Sequence, residues 1–119
     1  MNNIEPINLS KIDEMAEGDL EFKNELVSAI YTSLIDLRTK YIEGSEKEEN
    51  ETIQQIRHKV KPTLALFEIR KLEEVLSQGK LILEKNGFKG EFLIHLETFL
   101  DTWEETYEYL RKNVRIESI

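Results

Sequence analysis

A histidine and a lysine stand three residues apart in a stretch with helical periodicity, at His58 and Lys61. An exposed imidazole is largely neutral at pH 7, and its nitrogen is then a nucleophile. Side chains three residues apart on a helix share one surface patch, so the Lys61 ammonium can reach a group attached to His58. A phosphoryl group there would carry up to two negative charges, which a nearby lysine can offset. The residue types and their spacing therefore suit phosphoryl chemistry.

The helix that must position this pair is predicted over residues 46–66, and its apolar residues indicate which side faces the core. At about 100° per residue they share a narrow sector, formed by Ile53, Ile56, Val60 and Leu64. His58 lies roughly 160° from the centre of that sector, so we expect its side chain to point to solvent. The predicted surface neighbours of His58 are neutral or cationic, namely Gln54, Gln55, Lys61, Pro62 and Ala65.

Each residue of this group also has an ordinary explanation. A surface histidine can be inert, and a single lysine is most often simply solvated. A metal site at His58 is not indicated, because Lys61 and Pro62 occupy the positions where a second helical ligand would stand. Pro62 removes a backbone hydrogen bond to the His58 carbonyl, so it marks either a kink or early helix end, or a compact surface beside the histidine. His95 is predicted at the edge of another apolar stripe and receives no role.

The remainder of the chain predicts an all-α fold. Helical periodicity recurs, while alternation of apolar and polar residues never persists, which gives helices over about residues 9–17, 20–42, 46–66 and 70–85 and a fifth that begins at Gly90. Gly44 is predicted to end the second helix, and Ser45-Glu46-Lys47-Glu48 has the form of a capping box for the third. Four long amphipathic helices with short connections form an antiparallel bundle, and the short additional N-terminal helix would cap one end.

Length and composition limit the function classes. The 119 residues fit one domain, residues 1–119 with a core of about 8–113. Cysteine is absent, which excludes disulfides, zinc thiolates and thiol nucleophiles. The formal net charge of −8 argues against nucleic-acid binding. No run approaches the roughly 18 apolar residues of a membrane helix, and MNNIEPINLS lacks the features of a signal peptide. We therefore expect a cytoplasmic protein with no membrane or nucleic-acid partner.

Two segments resemble the histidine-phosphotransfer (HPt) domain family. Residues 56–64, IRHKVKPTL, resemble its phosphorylation motif, which has a histidine, two intervening residues, a lysine, and then usually glycine and a small residue. Residues 9–19, followed by Phe22 and Glu25-Leu26, resemble the family's opening, where a short helix ends in glycine and an acidic residue. The resemblance covers about residues 8–110, and the predicted solvent-facing position of the histidine makes the short motif more specific.

The resemblance implies a role for individual residues. His58 matches the histidine that accepts the phosphoryl group, and Lys61 matches the lysine that supports it. Lys80 is the ungapped match to a polar residue, often glutamine, that steadies the imidazole from the next helix. Pro62 departs from the usual glycine, which affects partner approach, while Thr63 keeps a small residue next to it. The expected partner surface comprises Gln54, Gln55, Pro62, Ala65 and Lys80.

The implied activity is that of a monomeric carrier between receiver domains of hybrid sensor kinases and response regulators. It would need no cofactor or bound metal, because the receiver supplies the magnesium ion, and it would have no autonomous kinase activity. Two alternatives stay open. The bundle could be an adaptor that docks partners without phosphorylation, or a dimeric sensor-kinase phosphoacceptor domain. In that second class an acidic residue usually follows the histidine, whereas Lys59 stands there in this chain.

Overall fold

The computed structural model describes residues 5–114, and over that range the chain forms helices joined by short turns, with no strand. The five helices are α1 Leu9–Ala16, α2 Leu20–Glu46, α3 Asn50–Leu66, α4 Arg70–Asn86 and α5 Glu91–Asn113. The predicted all-α class is confirmed, with four long helices and a short N-terminal one. The predicted domain limits at residues 1 and 119 lie outside the described residues.

One apolar face of each long helix meets the others in a single core. In α2 the buried positions recur every three or four residues, as Val27, Ile30, Leu34, Leu37 and Tyr41. The most extensive contacts join α2 to α3 and α4 to α5, and α1 packs on α2. The indole Nε1 of Trp103 on α5 donates a hydrogen bond to the Leu34 carbonyl oxygen at 2.6 Å, which also fixes α5 against α2.

Several predicted helix boundaries are confirmed by their backbone geometry. The Asp19 carboxylate accepts a hydrogen bond from the Phe22 backbone N–H at 3.1 Å and so caps the start of α2. Gly87 directly follows α4 with a positive φ angle of 73°, and Gly18 follows Glu17, the C-cap of α1, with a φ angle of 83°. Gly90 lies at the N-cap of α5. These signals depend on nearest neighbours along the chain, which is why sequence predicts them well.

The predicted boundary between the second and third helices is wrong. Helix α2 continues through Gly44 to Glu46, and α3 begins at Asn50. Gly44 is buried, and a Cβ atom there would lie 2.9 Å from Ile53 Cδ1, so this glycine permits close packing of α2 on α3. The Ser45 hydroxyl donates to the Tyr41 carbonyl oxygen at 2.6 Å inside α2, so the proposed capping box does not form. The chain reverses at Glu48, whose φ angle is 53°.

Candidate functional site

His58 lies in the middle of α3 and its side chain is exposed. The opposite side of the same helix is buried through four apolar residues, Ile53, Ile56, Val60 and Leu64. These side chains pack in the core and fix the rotation of α3 about its axis, because turning the helix would bring them into water. The predicted orientation of His58 toward solvent is therefore confirmed.

A cleft of about 310 Å³ opens between α3 and α4 beside His58. We call it the α3–α4 cleft, and it is lined by Gln54, Arg57, His58, Lys61 and Leu64 of α3 and by Glu73, Leu76, Ser77 and Lys80 of α4. Four of the residues predicted for the site therefore line one cleft, although they come from two helices: Gln54, His58, Lys61 and Lys80.

The other three predicted surface residues lie on α3 outside the cleft lining. Gln55, Pro62 and Ala65 are all exposed. Gln55 donates through Nε2 to the Glu51 carboxylate at 3.3 Å along the helix surface. Helix α3 continues past Pro62 to Leu66, which confirms the predicted C-terminal boundary and rules out an early helix end, one of the alternatives left open for Pro62. Pro62 instead presents its ring on the exposed side of an intact helix, one turn after His58.

Positive charge dominates the α3–α4 cleft. Three of its lining side chains are cationic (Arg57, Lys61 and Lys80), and only Glu73 is anionic. Within residues 5–114 none of these three cations forms an ion pair within 4.0 Å. The chain as a whole carries a formal net charge of −8, so this surplus is local. An anion in the cleft would therefore meet a net positive charge.

Lys59, the residue that follows His58, belongs to a different surface. It is exposed and does not line the cleft. Its Nζ atom lies 2.8 Å from Oδ2 of Asp36 on α2, so its charge is already paired. Lys59 and Arg57 thus flank His58 symmetrically in sequence, yet only Arg57 lines the cleft. This pair provides a matched comparison for experiments on the site.

Arg57 is the lining residue that sequence reasoning missed. Its side chain is half-buried, and its Nη1 atom is buried with no hydrogen-bond partner in the part of the chain that the structure describes. Arg57 stands three residues after Gln54 and four before Lys61, the spacing of residues on one helix face. That spacing could have placed Arg57 with the predicted site residues.

A buried hydrogen bond joins α2 to α5, and α4 packs against the two side chains that form it. The Tyr41 hydroxyl and His95 Nε2 are hydrogen-bonded at 2.8 Å. A Cβ atom at Gly79 would lie 2.5 Å from the Tyr41 hydroxyl oxygen and closer still to His95 Nε2. His95, predicted at the edge of its stripe, is only 5% exposed. The absence of a side chain at Gly79 therefore lets α4 pack against Tyr41 and His95. The next residue of α4 is Lys80, which lines the cleft.

Burial lowers the pKa of the His95 imidazole, which predicts a pH-dependent stability. Folding favours the neutral form of His95. The contribution of this residue to the free energy of unfolding is therefore complete above the unfolded-state pKa of about 6.5, and it is lost as the pH falls through the lower folded-state pKa. We expect the free energy of unfolding to decrease as the pH is lowered from about 6.5, by at most about 1.4 kcal/mol per pH unit. Urea unfolding at several pH values measures this decrease. An unchanged slope in His95→Gln would assign the effect to other groups.

Within residues 5–114, no group of three or more histidine, cysteine, aspartate or glutamate side chains is arranged to hold a metal ion. None of the helices described is long and apolar enough to cross a bilayer. Comparisons with protein-family models, curated proteins and solved structures found no match to this chain.

Proposed function

We propose that this protein is a histidine phosphocarrier of the HPt type, which receives a phosphoryl group on His58 from one receiver domain and passes it to another. One observation carries the proposal: an exposed imidazole in mid-helix lines a cleft whose other charged side chains are mainly cationic. The imidazole supplies the nucleophile, and the cations offset the charge that a phosphoryl group brings. The resemblance of residues 56–64 to the HPt motif supports the same activity.

The proposed reaction is an in-line displacement at phosphorus. The unprotonated imidazole nitrogen of His58 forms an N–P bond while the P–O bond of the receiver's aspartyl phosphate breaks. The aspartate carboxylate takes the electron pair, and the phosphorylated ring releases its other N–H proton to solvent. Transfer to a second receiver reverses these steps. Such a reaction depends chiefly on positioning and charge stabilisation, and the receiver supplies the magnesium ion.

Lys61 has the clearest supporting role in this reaction. It lines the cleft one helical turn after His58, and it is exposed. We expect Lys61→Ala to slow transfer or shorten the phosphohistidine lifetime by roughly three- to tenfold. The free energy of unfolding should change by less than about 0.5 kcal/mol, since the residue lies at the surface.

Lys59→Ala is the matched control for that prediction. It removes the same charge from the same helix, but Lys59 pairs with Asp36 and does not line the cleft. Rates of transfer and of phosphohistidine hydrolysis should therefore stay near the wild-type values in Lys59→Ala. If Lys61→Ala also leaves both rates at wild-type values, Lys61 has no part in the site.

The partner in this proposal is a receiver domain that covers the cleft and the adjacent surface of α3. Gln55, Pro62 and Ala65 extend the exposed surface beside the cleft and would meet the rim of the receiver's active site. We further propose that the protein acts as a monomer in the cytoplasm, where a single exposed His58 is accessible to successive receivers. None of these steps requires a nucleic acid or a membrane.

One observation favours a second candidate, an adaptor that docks signalling partners without phosphorylation. Pro62 presents a bulky ring beside His58 at a position where the HPt motif usually has glycine. A two-step assay separates the functions: a panel of phosphorylated receivers donates to this protein, and the purified product is then mixed with a fresh receiver. The carrier function requires label to appear first here and then on the second receiver. Binding without transfer from any receiver would support the adaptor.

A further inference from the structure

Arg57 and His58 both line the α3–α4 cleft, although the two residues are adjacent in sequence. Arg57 also shares a helix face with Gln54 and Lys61, since it stands three and four residues from them. On the facing helix, Lys80 lines the same cleft. A group attached to His58 that turned into the cleft would therefore meet cationic side chains from both helices.

The Arg57 guanidinium contains a buried polar atom that lacks a hydrogen-bond partner within residues 5–114. Its Nη1 atom is buried and makes no hydrogen bond to any residue of the described range. A buried nitrogen without an acceptor costs free energy, and an anion in the cleft would supply acceptor oxygens.

We propose that Arg57 is a phosphoryl-binding residue, whose guanidinium donates hydrogen bonds to the oxygens of a phosphoryl group on His58. The planar guanidinium presents paired donors that match a phosphoryl group, whereas Lys61 and Lys80 add compact positive charge. Together the three cations offset the negative charge of the phosphoryl group. This inference rests on the proposed function only in that His58 carries the phosphoryl group.

A small-molecule donor allows a test that needs no receiver. With phosphoramidate, the N–P bond to His58 forms as the donor's P–N bond breaks, and ammonia leaves. Phosphorus NMR then follows the titration of the phosphohistidine, whose pKa we call the phosphoryl pKa. Loss of a nearby cation favours the protonated form, so Arg57→Gln should raise this pKa by roughly half a unit or more. Lys59→Gln removes an equal charge outside the cleft and should leave the phosphoryl pKa near the wild-type value.

Arg57→Lys keeps the charge but loses the planar fork, so its phosphoryl pKa should lie between those of wild type and Arg57→Gln. Thermal unfolding verifies each fold, and Arg57→Lys serves as the test if Arg57→Gln does not fold. Phosphoryl pKa values in the Arg57 variants equal to that of Lys59→Gln would overturn the role of Arg57. So would failure of the wild type to accept phosphoryl from phosphoramidate.

The outcome also separates this inference from the proposed function. If Arg57→Gln raises the phosphoryl pKa but no receiver transfers to the wild type, the carrier function fails and Arg57 remains a phosphoryl-binding residue. If receivers transfer normally and Arg57→Gln matches Lys59→Gln, the carrier function stands and Arg57 has no part in it.

Discussion

Replacement of His58 by glutamine is expected to abolish phosphoryl uptake while leaving the helical fold intact. Glutamine has no imidazole nitrogen to form the N–P bond, so uptake should fall below detection rather than merely slow. His58 is exposed, and substitutions at exposed positions usually change the free energy of unfolding by less than about 0.5 kcal/mol. Labelling by a phosphorylated receiver measures uptake, and circular dichroism with thermal unfolding measures the fold.

His95 makes the His58 substitution easy to interpret. It is the second of the two histidines in the chain, and it is only 5% exposed. The wild type should therefore take up at most one phosphoryl group on histidine per chain. Lys59→Gln, adjacent to His58 but outside the cleft lining, should retain full uptake. Label retained by folded His58→Gln would place the acceptor elsewhere.

Gly79→Ala is expected to destabilise the bundle by about 2–3 kcal/mol, because overpacking of a tight core and loss of a buried hydrogen bond both oppose folding. The added Cβ would lie 2.5 Å from the Tyr41 hydroxyl oxygen and closer to His95 Nε2. These two groups are hydrogen-bonded to each other at 2.8 Å, so neither can move without loss of that contact. Urea or thermal unfolding of wild type and variant measures the difference.

Gln78→Ala is the matched control for Gly79→Ala, since Gln78 is the preceding residue of α4 and is exposed. It should leave the free energy of unfolding within about 0.5 kcal/mol of wild type. Helix propensity alone predicts the opposite result for Gly79→Ala, a gain of about 1 kcal/mol. A variant as stable as wild type, or more stable, would show that α4 does not approach Tyr41 and His95 this closely.

The features that sequence predicts best are those set by local periodicity. Ile53, Ile56, Val60 and Leu64 repeat at helical spacing, and burial of that stripe alone determines that His58 faces water. Asp19 could be predicted as a cap because a capping side chain bonds only to the next turn of its own helix. For the same reason, the lysine three residues after His58 could be assigned to its surface.

The features that sequence misses depend on which helices become neighbours. Gly44 resembles a helix stop, but its role is to admit Ile53 from α3, which no local pattern reveals. Likewise, the burial of His95 depends on Tyr41, which stands 54 residues earlier in the chain. The unsatisfied Nη1 atom of Arg57 becomes apparent only when α4 has been placed beside α3. Packing between distant segments, rather than propensity, decides these three cases.

The most direct test of the carrier function is transfer of labelled phosphoryl from a phosphorylated receiver domain to the wild-type protein, followed by acid and base treatment. An N–P bond on His58 predicts label that moves to the protein, is lost in acid and survives in base. Label that survives acid, or no transfer from any receiver to the folded protein, would contradict the assignment of His58 as a phosphoryl carrier.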